Sequence, residues 1–212
     1  LINFARINYL MKLTILNLFL FCSLKMLVAQ PNVYDNLIQK HRDELHHEFL
    51  DTAETPLTEE GLKIFEGLDY FKIDSLYRVS ASLVRTPDEK IFEMQTSTDR
   101  LPKYLKYGLA EFTINGKKLK LNVYQNVKLA NNEEYKDYLF IPFRDFTSGE
   151  TTYGGGRYIE TEIPNGDILI IDFNKAFNPY CAYNHKYSCP IPPLENTLKI
   201  AIKAGERSYS KH

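Results

Sequence analysis

The chain has 212 residues, 26 basic and 27 acidic for a net charge of -1, and is 44% hydrophobic. That length suits one domain, and that composition suits a folded one. The charge balance leaves no basic face for nucleic acid or an anionic membrane, so the remaining partners are a small molecule, a glycan or another protein.

From the N-terminus, Leu1–Leu10 precede the first methionine, Met11, and are expected to be upstream sequence. From Met11 the pattern is that of a secretory signal peptide. Lys12 supplies the positive n-region, the stretch Leu13–Phe21 a short apolar h-region, and Val28-Ala29 a cut before Gln30. Lys25 interrupts the run, and Leu27 is large for its place before the cut. An uncleaved anchor is the alternative, but the run is shorter than the roughly 18 residues that span a bilayer. Phe21 stands where lipidation of Cys22 needs a small residue. The expectation is an upstream extension and signal peptide over residues 1–29 and a single domain over residues 30–212. That domain is expected to be exported, to a periplasm or outside the cell, with no membrane span left after cleavage.

Asn32 to Leu50 predicts a helix, with Tyr34, Leu37, Ile38, His41, Leu45 and Phe49 on one face and Asn32 as its cap. His41, His46 and His47 lack the H-E-x-x-H spacing of a zinc helix and are expected to lie on a solvated face. Thr58-Glu59-Glu60 starts a second, shorter helix through Phe65, weakened by Gly61. After Gly67 the apolar period becomes two. Tyr77, Val79, Ala81 and Leu83 alternate with polar residues, and Ile91 to Gln95 is a second short strand. Tyr104–Ile114 and Lys118–Tyr124 flank Asn115-Gly116, a strong hairpin signal, with Leu119, Leu121 and Val123 inward and Lys118, Lys120 and Asn122 facing water. Tyr138–Phe143, Arg157–Ile163 and Ile168–Asp172 are further strands, and Leu198, Ile200 and Ile202 alternate in a last one. No helical crossovers separate them. The fold class is therefore mainly β, an antiparallel sheet, sandwich or partly closed barrel, with an N-terminal helix (α+β if helices are counted).

Gly154-Gly155-Gly156, followed directly by Arg157, can turn backbone N–H groups toward an anion. A tight bulged turn needs the same three glycines. No Lys-Ser/Thr pair follows them, and the dinucleotide spacing is absent, so nothing here calls for a nucleotide cofactor. Arg144, Asp145, Arg157, Asp172 and Asn174 form the candidate polar constellation. Arginines suit bidentate recognition of carboxylate or phosphate, and the competing reading is an Arg–Asp network that pins loops. Tyr153, Tyr158, Tyr180, Tyr183 and Tyr187 add rings able to stack on a sugar or aromatic ligand. With Cys22 removed, Cys181 and Cys189 are an even pair in an oxidising compartment, and a disulfide is the simplest reading. Closing that loop contributes roughly 2.5 kcal/mol in the chain-entropy model. Free thiols are the second reading. The third is a metal site with His185, which the flanking Pro179, Pro190, Pro192 and Pro193 oppose by breaking the helix that would align the three residues.

Four stretches in order, 140–149, 152–158, 172–183 and 189–196, closed by Ala204-Gly205-Glu206, resemble the uncharacterised bacterial and archaeal family catalogued as domain of unknown function 1684. The likeness runs from about Leu37 to Glu206. It implies a shared fold and carries no activity. His185 falls in a variable stretch of that pattern, which counts against a family-wide metal role.

Three functions follow as expectations. The first is an exported module binding a small anionic molecule or glycan where Arg144, the three glycines, Arg157, Asp172 and Asn174 meet. The second is a hydrolase or lyase with Asp145 or Asp172 as general base and an arginine as stabiliser. The third is a metal module at Cys181, His185 and Cys189.

Overall fold

A computed structural model describes residues 33–209. The expected signal peptide and the Asn32 cap lie outside these residues. By its contacts the chain divides into two units, Leu1–Leu37 and Ile38–His212. Of the first, only the opening turn of a helix is described.

Helix α1 (Val33–Leu50) buries Ile38, Arg42 and Phe49. Ile38 and Phe49 lie on the predicted face, whereas Leu37 is exposed and Arg42 is buried in addition. The Arg42 guanidinium lies over the Tyr70 ring at 4.3 Å and donates to the Phe71 carbonyl at 3.1 Å. Helix α2 (Glu59–Lys63) starts where Thr58 accepts a hydrogen bond from Gly61 N at 2.9 Å. No described helix is long and apolar enough to cross a membrane.

The seven strands are β1 (Arg78–Arg85), β2 (Phe92–Glu93), β3 (Lys103–Ile114), β4 (Lys117–Asn126), β5 (Tyr138–Phe143), β6 (Arg157–Glu162) and β7 (Ile168–Asp172). A one-turn helix, α3 (Val127–Ala130), follows β4. The strands form one antiparallel sheet, ordered β6-β5-β4-β3-β1-β7 with β2 beside β3, curled into a half-barrel. The β3–β4 hairpin turns at Asn115-Gly116, with φ of 50° and 73°, the positive pair that a two-residue primed turn requires.

Alternation across the pleat divides the side chains between two faces. In β5, Leu139, Ile141 and Phe143 enter the main core, together with Leu121 and Val123 of β4 and Ile159 of β6. Their neighbours Phe140, Tyr124 and Tyr158 enter a second, aromatic cluster with Tyr104, Met94, Cys181 and Cys189. The sheet thus has an inner face of mixed aliphatic and aromatic side chains and an outer face that is mostly aromatic.

Two expectations are corrected. Asn122 is buried, not solvated. The 3-10 turn Leu194–Asn196 lies over that part of β4, with Asn122 N donating to Asn196 Oδ1 at 2.8 Å. Residues 197–203 do not form a strand, although Leu198 and Ile202 are buried as the alternation requires. Their backbone groups are engaged elsewhere. Leu198 N donates to the Arg144 carbonyl at 2.8 Å, and the Ile202 carbonyl accepts from Arg157 Nη2 at 3.0 Å.

Candidate functional site: an aromatic cleft on the outer face of the sheet

In the β5–β6 pair, Phe140 stands opposite Glu160 and Pro142 opposite Tyr158. Strand parity places Tyr138, Phe140, Tyr158 and Glu160 side by side on the outer face. The segment Phe177–Pro190 and the part of α1 from His41 to Phe49 wall this face in. They enclose a cavity of about 600 Å³. Its floor is a run of edge-on rings: Phe140 meets Tyr158 at 4.7 Å and 72°, and Tyr158 meets Phe177 at 5.9 Å and 89°. Edge-to-face packing at these spacings is the favoured geometry for aromatic pairs. The Tyr158 hydroxyl donates to the Pro190 carbonyl and so fixes the far wall. At the rim, Tyr180 and Tyr187 lie 5.3 Å apart.

The polar groups of the cleft are few and shifted. Tyr138 donates its hydroxyl to Glu160 Oε1 at 2.7 Å. Crowding by the surrounding walls raises the Glu160 carboxyl above its ordinary value, and the Tyr138 hydrogen bond opposes that rise. Glu160 nonetheless stays open to solvent through the cleft mouth, so its environment is concave and not sealed. Glu206 is 2% exposed and its carboxyl is pushed up to about 8, by burial against the opposing pull of Asn178 and Arg157. It accepts from Asn178 N at 2.8 Å and from the Tyr183 hydroxyl. His41 is lowered by burial and by Lys175 across the cleft. At neutral pH, Glu206 is thus a protonated acid and His41 a neutral imidazole.

The predicted constellation separates into two groups held by different partners. Asp145 and Arg157 meet. Arg157 is 0% exposed, with Nη2 2.9 Å from Asp145 Oδ2. Nη1 and Nη2 also donate to the carbonyls of Ile202 at 3.0 Å, Glu206 at 3.2 Å and Ala204, while Nε is buried without a hydrogen-bond partner. Asp145 also accepts from Thr147 N at 2.6 Å. Burial lowers the guanidinium, and Asp145 opposes the shift. Arg157 is an internal pin and presents no face to an anion. Asp172 caps the 3-10 turn Phe173–Lys175 after β7, and Asn174 lies within that turn. Asp172 Oδ1 accepts from Asn174 N at 3.0 Å, and Asn174 bonds the backbone of Asp74. Asp172 also lies 3.9 Å from Arg78. Arg144 is tied through its backbone to Asn196 and Leu198, and its Nε is buried without a hydrogen-bond partner.

The glycine loop is a packed turn. Gly156 has φ of +94°, and a Cβ there would lie 2.6 Å from the Phe143 carbonyl oxygen. Its N–H closes on the Tyr153 carbonyl at 3.0 Å. A Cβ on Gly155 would strike the Tyr153 ring at 2.3 Å, whereas Gly154 meets only Gly149, at 3.6 Å. Cys181 and Cys189 are buried and adjacent, with their thiols free here. His185 is exposed, and among the described residues no three His, Cys, Asp or Glu side chains gather as a metal would need. Of the predicted tyrosines, Tyr158, Tyr180 and Tyr187 line the cleft. His41, expected on a solvated face, instead lines the cleft, and Tyr138, Glu160 and Lys175 were not singled out as site residues. The signal for Tyr138 and Glu160 was present in the alternation of β5 and β6, whose off-core positions are aromatic or acidic.

The family model described as protein of unknown function (DUF1684) matches residues 63–207. Among solved structures, the solution NMR structure of an uncharacterized protein from gene locus rrnAC0354 of Haloarcula marismortui is similar. It has 35% identity over 84% of this chain and 96% of that one, with a TM-score of 0.66. No curated protein matches the chain.

Proposed function

The chain belongs to DUF1684, a family of proteins of unknown function, and on that premise we propose that its outer-face cleft binds a sugar ring, as a free saccharide or a unit of a glycan. The observation that carries this reading is the Tyr138–Glu160 hydrogen bond, 2.7 Å long, set among aromatic walls in a cavity of about 600 Å³. Rings such as Phe177 and Tyr180 offer apolar faces to the C–H side of a pyranose. Glu160 accepts hydroxyl donors, while Lys175 and the neutral His41 complete the edge. An anionic ligand is disfavoured, because Arg157 is consumed internally and the cleft wall carries Glu48 and Glu160. The export expected of residues 1–29 would bring such a module to extracellular glycans.

Titration of the full chain with neutral, acidic and basic saccharides, followed by NMR shifts, tests this. Neutral sugars should move resonances of Tyr138, Phe177 and Tyr180, and Glu160→Gln or Tyr180→Ala should weaken binding about tenfold, the loss of one charged hydrogen bond or one stacked ring. Shifts with phosphate or carboxylate ligands alone would sink the reading.

A second reading is a hydrolase in the same cleft. Here the general base is Glu160 and not Asp145 or Asp172, because Glu160 is the carboxyl both raised and open to a ligand. Release of a shorter saccharide, lost in Glu160→Gln, separates it from binding alone.

A further inference from the structure

Cys181 and Cys189 stand at the two ends of the loop that forms one wall of the cleft. They are buried, at 7% and 8% exposure, and neither is bonded to another cysteine. Cys181 N–H donates to Cys189 Sγ at 3.2 Å. The Tyr153 hydroxyl lies 3.8 Å from Cys181 Sγ. The Ser97 hydroxyl accepts from Cys189 N at 3.1 Å and donates to the Tyr187 carbonyl at 3.2 Å. Cysteines that only fill space have apolar surroundings and need no such donors.

The donors fall unevenly. Cys189 first, then Tyr153 and Ser97, pull the Cys181 thiol down to about 6, against burial. Cys189 is pushed up, first by its bond to Cys181 and then by burial. This is the division of labour between an attacking and a resolving thiol.

We propose that Cys181 and Cys189 are a thiol redox site that reacts with a peroxide. The Cys181 thiolate attacks one peroxide oxygen and the O–O bond breaks. The departing hydroxide takes up a proton as water, and Cys181 is left as a sulfenic acid. Cys189 then attacks that sulfur, the S–O bond breaks, and a second water leaves with the Cys189 proton. Two thiols have lost two electrons and two protons, and one peroxide has become two waters. A peroxide is chosen over a bulky disulfide because both sulfurs are nearly sealed, with Cys189 alone bordering the cleft. The new bond would staple the cleft wall from Cys181 to Cys189. The chemistry does not depend on what the cleft binds.

The test uses the full chain, reduced and then exposed to hydrogen peroxide, followed by intact mass. The folded protein should become two hydrogens lighter, at least about tenfold faster than the urea-unfolded chain, whose thiols have ordinary reactivity. A reductant should reverse the change without unfolding. In Cys189→Ser, dimedone should label Cys181; in Cys181→Ser, Cys189 should label far more slowly. Equal rates folded and unfolded would overturn the proposal. So would equal labelling of the two variants, or a disulfide that forms on isolation and resists reductant until the chain unfolds.

Discussion

The Tyr138 hydroxyl reaches Glu160 diagonally across the β5–β6 pair, because Tyr138 stands opposite Glu162 and Phe140 opposite Glu160. Diagonal neighbours on one face of a sheet are within reach of a long side chain. The bond favours the ionised carboxylate, so it works against the rise imposed by the cleft walls. Tyr138→Phe is therefore expected to raise the Glu160 pKa further, as a pH titration of its side-chain carboxyl carbon by NMR would read. A fall would show that the bond favours the neutral acid.

Glu206 couples stability to pH. Its folded value is about 8 against 4.5 for an ordinary glutamate, so between those limits the native state holds a proton that the unfolded chain releases. Stability is then highest below the unfolded value and declines as pH rises toward about 8. Glu206→Gln keeps one acceptor oxygen for Asn178 N and turns an amide N–H toward the Tyr183 hydroxyl oxygen. It should flatten the decline of Tm between about pH 5 and pH 8, within the window that the two values set, leaving a residual slope of the same sign from Glu160. An unchanged slope would exclude Glu206 as the source.

Arg157 and Asp145 form a sealed pair at 2.9 Å, and removing either partner strands the other. Arg157→Met should cost about 3–5 kcal/mol in urea unfolding, the usual range for a broken buried pair. Arg157→Lys should recover little, because an ammonium cannot supply the planar fork that meets Asp145 and three carbonyls together. A fully stable Arg157→Lys variant would contradict this.

The glycine loop gives a paired comparison. Gly156→Ala should destabilise by more than about 1 kcal/mol, through positive φ and collision with the Phe143 carbonyl. Gly154→Ala, with only Gly149 nearby at 3.6 Å, should be tolerated. Thermal melts of both variants decide it.

The strands were legible in the sequence because alternation and turn chemistry are local. Tyr77–Leu83 and the Asn115-Gly116 hairpin depend on nothing distant. The last predicted strand was misread because alternation reports burial and not pairing. Leu198 and Ile202 are buried, yet their backbone serves the segment after β5 and Arg157. Asn122 was misread because its cover, Asn196, lies 74 residues away. At the candidate site, the Asp145–Arg157 partnership was visible as one of two readings, and burial decides between them. The cleft itself was hidden, since Tyr138, Glu160 and His41 become neighbours only when the sheet curls and α1 lies against it.

The carbonyls that hold Arg157 come from residues 45, 47 and 49 positions further along the chain. A growing polypeptide therefore makes β5, Asp145 and β6 well before it makes the carbonyls that complete the hydrogen bonding of Arg157. Until residues 202–206 have been synthesised, closing the core around Arg157 would leave a guanidinium dry and without its carbonyl acceptors, which is prohibitively unfavourable. The half-barrel should consequently stay ajar on the ribosome and close in a late cooperative step. Nascent chains halted before Ala204 should be digested by protease, while chains carried past Glu206 should resist.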